Sequence, residues 1–70
     1  MTKKEAMYLF YAYDLEPWYL SALDREVPES KRKLMSQKQI EKWCVNKFYE
    51  ETKHTTKQAW EEELEKMGEI

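Results

Sequence analysis

Residues 36–53 read SQKQIEKWCVNKFYEETK, and the fold turns on this stretch. Ser36 followed three positions later by Gln39 has capping-box spacing: the hydroxyl accepts from a first-turn N–H while the amide side chain reaches back to the cap. Beyond the cap, Ile40, Trp43, Cys44 and Phe48 stand at i, i+3, i+4 and i+8, a single apolar stripe on a helix of period 3.6. The stretch predicts a long helix over about 37–53 with that stripe turned to a core.

The same punctuation recurs on either side. Thr2 with Glu5, and Thr55 with Gln58, repeat the S/T-x-x-E/Q pattern. The first introduces a helix over about 3–15. Pro17 ends it, because the residue before a proline is driven out of the α region. Proline also suits a first helical turn, so a short helix follows over about 17–25, carrying Trp18, Leu20, Ala22 and Leu23 and closed by Val27-Pro28. Residues 28–35 read as a linker with at most one helical turn near 31–34. The last helix, about 56–67, spaces Ala59, Trp60, Leu64 and Met67 helically, with Gly68 at the left-handed C-cap position and Ile70 able to fold back on Leu64. One Gly, two Pro and no period-two alternation leave no strand signal. The expected fold is all-α: one domain over residues 1–70, three main helices and one short one. The long and last helices form a helical hairpin, and the first two close over its seam.

Seventy residues hold a single core. The lone Cys44 excludes an internal disulfide, and no Cys/His cluster has zinc spacing. Stability must come from helix packing or from association. The opening MTKKEAMYLFYAY is basic and then apolar, but Glu5 and Asp14 interrupt it and no small-residue cleavage site follows, so a signal peptide is not expected. No apolar run approaches the ~20 residues of a membrane span. A cytoplasmic, reducing environment with no membrane partner, no metal and no cofactor is the expectation.

The net charge of −2 is segregated. Residues 1–30 carry three bases and six acids, residues 31–57 eight bases and three acids, and residues 58–70 one base and five acids. A basic centre thus lies between acidic flanks, which either neutralise it internally or face a different partner.

Three Trp, five Tyr and two Phe are a heavy aromatic load for this length. A domain this small buries only about 60% of its unfolded surface, so some rings are expected outside, where aromatics favour interfaces. In the first helix Ala6, Leu9, Phe10 and Tyr13 make one stripe, while Met7, Tyr8, Tyr11 and Leu15 spread round the rest of the circumference. A helix apolar on more than one side is covered more than once. The candidate protein interface is therefore Met7, Tyr8, Tyr11 and Leu15 with Trp18 and Tyr19. Its cover is a larger cytosolic protein or, in a homodimer, a second copy. The competing arrangement keeps Trp18, Trp43 and Trp60 in the core and the tyrosines half-buried.

Two further surfaces carry charge. Lys31, Arg32, Lys33, Lys38 and Lys42, with Lys47 near them, could contact nucleic-acid phosphates, and two helices with a short turn suggest helix-turn-helix geometry. The helix that would then read bases is acidic, which phosphate opposes. Its Glu61, Glu62, Glu63 and Glu65 point in different directions and cannot converge on one ion. They form a solvated face, or an acidic surface that competes for a basic DNA-binding partner. His54 has no acid or nucleophile at catalytic spacing, and Cys44 sits on an apolar stripe as a small hydrophobe. The expected function is non-catalytic: a protein-interaction module, an inhibitor or adaptor of the kind bacterial viruses and mobile elements encode. A nucleic-acid-associated protein and an acidic competitor are the alternatives.

Overall fold

Both unambiguous capping boxes close. Thr2 Oγ1 accepts from the Glu5 N–H at 3.2 Å while a Glu5 carboxylate oxygen accepts from the Thr2 N–H at 2.8 Å. That bond from the Thr2 N–H is the main reason the Glu5 carboxyl lies below its usual range. Ser36 and Gln39 repeat the arrangement at the same distances. The computed structural model describes residues 1–68, and the helices so started are α1 (Lys3–Ala12), α2 (Glu16–Glu26), α3 (Glu29–Arg32), α4 (Gln37–Thr52) and α5 (Lys57–Gly68). No strand occurs among the described residues. The third box is displaced by one: Thr56, not Thr55, caps α5, accepting from the Ala59 N–H at 3.2 Å. Ala59 has no polar side chain to reach back, so this cap is one-sided.

The end of α1 corrects the expected boundary near residue 15. The helix stops at Ala12, and Asp14 takes a left-handed conformation with φ of 49°. The Leu15 N–H then reaches the Phe10 carbonyl at 3.0 Å and the Asp14 N–H the Tyr11 carbonyl at 3.4 Å. This is a Schellman turn, with its usual apolar contact made by Leu15 and Phe10 inside one buried cluster. Pro17 falls in the first turn of α2. The stretch expected to be a linker contains the four-residue α3, tied back by Arg32, which donates to the Val27 carbonyl at 3.0 Å and to Asp24 at 2.7 Å. Leu34 beside it is 84% exposed. Gly68 is the last residue of α5, and the expected contact of Ile70 with Leu64 lies outside the described residues.

The principal helix contacts are α1 with α4, α2 with α4, and α1 with α5. The expected hairpin of α4 and α5 is not among them. Helix α1 contacts both α4 and α5, and the N-terminal ammonium of Met1 donates to the carbonyls of Lys53 and Thr55 in the turn between those helices. A cation there also favours the negative end of the α4 dipole. α5 therefore leans on α1, with Leu64 joining the core built from Leu9, Phe10, Leu15, Cys44 and Phe48.

Phe48 sits at the middle of that core. Its ring centroid lies 6.4 Å from that of Phe10 on α1. Tyr19 of α2 is 5.9 Å away on the same measure, and Trp60 of α5 is also at 5.9 Å. The arrangements are tilted or edge-on, as aromatic quadrupoles favour. The molecule measures 37 × 27 × 17 Å. Its radius of gyration is 12.8 Å. A rounder domain of this length would have a radius of roughly 11 Å. The shape is a slab, thin in one direction.

Two mutations test this framework. Phe48→Ala removes the shared ring at a cost of about 3–5 kcal/mol, a large share of the roughly 4–10 kcal/mol available to a domain this size. Loss of cooperative thermal melting and of near-UV dichroism is the expected result. At Asp14, glycine should melt at or above the wild-type temperature, while valine, which resists positive φ, should lower it by several degrees.

Candidate protein-docking groove between α1 and α4

Helix α1 spends one side on the core, through Ala6, Leu9 and Phe10. One strip further round, Lys3, Met7 and Tyr11 succeed one another at intervals of four and so run in line along the helix. Met7 is 43% exposed and Tyr11 55%. Opposite them on α4 stand Lys38, Lys42 and Val45. Together the two rows line an open groove of about 730 Å³. Glu41 and Asn46 complete its α4 side, and the capped first turn of α4 closes one end.

Most bases of the 31–57 segment are paired within the molecule. Arg32, Lys33, Lys47, Lys53 and Lys57 each hold a carboxylate at 2.7–3.9 Å: Asp24, Glu29, Glu26, Glu50 and Glu61 respectively. The hydrogen bond to Glu61 is the main cause of the raised Lys57 pKa, as that to Glu50 is for Lys53. Lys3, Lys38 and Lys42 have no such partner among the described residues. Five of the eight bases in the basic segment are thus paired internally, while Lys38 and Lys42 in the groove and Lys31 outside it are not.

The expected interface residues divide accordingly. Met7 and Tyr11 meet in the groove. Tyr8 is exposed on another side of α1. Lys57 Nζ lies 4.6 Å from its ring centroid, a cation–π contact within the molecule. Trp18 is exposed on α2 and does not line the groove, which corrects its alternative placement in the core. Leu15 is a correction too: the Schellman turn draws it inward until only 3% is exposed, and it does not line the groove. Tyr19 is half-buried against Phe48, and its hydroxyl donates to Glu51 at 2.9 Å. Burial first, then that bond and the Glu51 charge, push the Tyr19 phenol well above the usual tyrosine range.

The charged candidates also separate. Lys38 and Lys42 share the groove, whereas Lys31 is exposed apart from it. Arg32 is occupied by α2, and Lys47, expected close to Lys42, lies on the opposite side against Glu26 and near Trp43. Along α5, Glu61 is paired with Lys57 while Glu62, Glu63 and Glu65 face solvent. Partial burial, followed by Glu65 and Glu61, raises the Tyr13 phenol. Burial and the charges of Glu16 and Glu41 push the Cys44 thiol up, which disfavours a thiolate. His54 is exposed in the α4–α5 turn. No group of three or more His, Cys, Asp or Glu suited to a metal occurs among the described residues, and no described helix is long and apolar enough to cross a membrane.

Sequence reasoning missed Lys3, Val45 and Asn46 as groove residues. The four-residue interval from Lys3 to Tyr11 was available as a signal, but its pairing with α4 depends on how the helices cross. The chain matches no protein-family model, no curated protein and no solved structure.

Tyr19 supplies a pH prediction. Its folded-state pKa is raised above the unfolded value of about 10, so its contribution to stability is complete below about pH 10 and is lost as the pH climbs toward the folded value. The melting temperature should fall above about pH 10, less steeply in Tyr19→Phe, as read by circular dichroism across the alkaline range. Equal slopes in both proteins would refute the assignment.

Proposed function

We propose that this protein is a non-catalytic interaction module, an inhibitor or adaptor that docks on a larger protein through the α1–α4 groove. The observation that carries this reading is the row Lys3, Met7, Tyr11 beside Lys38, Lys42 and Val45: exposed Met7 and Tyr11 over a buried Val45, flanked by cations that no described carboxylate pairs. Aromatic and methionine side chains at the centre of a patch, with charge at its rim, match the anatomy of protein interfaces. The remaining nucleophile and imidazole lend no support to catalysis, since Cys44 is buried with a raised pKa and His54 stands alone in a turn. A phosphate-binding role draws less support, because Arg32, Lys33 and Lys47 are already paired within the molecule.

The test places a photo-crosslinking phenylalanine analogue at position 11 and, as a control, at the exposed Ser21 on α2. In cells of the source organism, position 11 should give a discrete protein adduct that position 21 does not. The double variant Met7→Ser/Tyr11→Ser should melt within a few degrees of wild type and compete poorly for that adduct. Adducts to nucleic acid, no adduct from position 11, or unfolding of the double variant would each count against the reading.

A further inference from the structure

We infer that the groove takes one kind of partner, an amphipathic helix whose apolar ridge is flanked by acidic residues. The inference rests on the docking role above and adds the chemistry of what is docked. Lys3 to Tyr11 spans eight residues, about 12 Å or two helical turns, and Lys38, Lys42 and Val45 run alongside at i, i+4 and i+7. A trough between two packed helices, floored by Met7, Tyr11 and Val45, accepts a third helix by its i, i+3/i+4, i+7 ridge. A peptide that binds by strand addition would need a sheet edge for its main-chain hydrogen bonds, and no strand exists among the described residues.

Charge sets the sign of the partner. Three lysines without a paired carboxylate among the described residues face one acid, Glu41. The groove also opens over the first turn of the sixteen-residue α4, the positive end of its dipole. Acidic side chains on the incoming helix would find cations there with no intramolecular pair to break. The protein's own acidic helix is a poor occupant from a second copy, because the apolar side of α5, with Leu64 and Trp60, is engaged by its own core. Nucleic acid would meet the lysines and could stack on Tyr11, but Met7 and Val45 offer bases neither a hydrogen-bonding group nor a ring, and Glu41 on the α4 side would oppose phosphate.

The probe is a fluorescein-labelled helical peptide of about fourteen residues, roughly four turns, with leucine at the ridge positions and glutamate on both flanks. A second peptide carries lysine for every glutamate, and a labelled single-stranded DNA oligonucleotide serves as competitor. Anisotropy at low salt should show binding of the acidic peptide, and nuclear magnetic resonance shifts should map to Met7, Tyr11 and Val45. Lys38→Glu/Lys42→Glu should melt like wild type, bind the acidic peptide about tenfold more weakly or worse, and bind the lysine peptide better than wild type does. Equal binding of both peptides, or shifts away from the groove, would overturn the inference. So would tighter binding of the oligonucleotide at the same residues, or a concentration-dependent dimer that shields Met7 and Tyr11. If the peptides fail while position 11 still crosslinks to a protein, the interaction module stands and only the acidic-helix chemistry falls. If the crosslink fails as well, both do.

Discussion

The ring of Phe48 packs against Phe10, Tyr19 and Trp60, one aromatic from each of the other three long helices, so α1, α2 and α5 are each oriented by the same side chain of α4. Helices of ten to sixteen residues are marginal alone in water, and a chain with a single cysteine has no internal disulfide to help them, so packing carries much of their stability. Tertiary burial at Phe48 is therefore what turns capped segments into a fold. The buried neighbours Ala6, Leu9, Cys44 and Val45 are small or flexible enough to fill the space that four converging helices leave.

The same centre accounts for the shape, and the shape for the surface. A slab 17 Å thick has too little interior for ten aromatic rings. Phe10 and Phe48 take the inside, Tyr13, Tyr19, Tyr49, Trp43 and Trp60 are half-covered round them, and Tyr8, Tyr11 and Trp18 are left outside. Because α1 packs on both α4 and α5, its two flanks become different surfaces. One carries Tyr8 beneath Lys57, already satisfied within the molecule. The other carries Met7 and Tyr11 above lysines that are not.

What the sequence revealed follows the range of the interaction involved. The caps at Thr2 and Ser36 each join two residues three positions apart and could be read directly, as could the apolar stripe through Cys44 and Phe48. The cap of α5 was misplaced by one because Thr55 and Thr56 are chemically alike, and only the chain path distinguishes them. The end of α1 was hidden by Asp14, whose left-handed conformation a glycine would have announced. The α4–α5 pair meets mainly through Phe48 and Trp60 and not as a close hairpin, because the direction of a short turn is set by what lies beyond it, here α1, which packs on both helices. The candidate site divides in the same way: exposed Met7 and Tyr11 were legible from an aromatic excess, whereas Leu15 vanished into a turn and Val45 entered through helix crossing.

The segment around α3 has a consequence for how the molecule opens. Arg32 is its main tether, Leu34 lies bare beside it, and α3 buries no residue. Local opening there exposes almost no apolar surface, so its amides should exchange with solvent while those near Cys44 and Phe48 wait for global unfolding. The molecule has a soft seam between its second and fourth helices. Lengthening the chain at that seam would add loop entropy that grows only slowly with length and would leave the ring contacts at Phe48 in place.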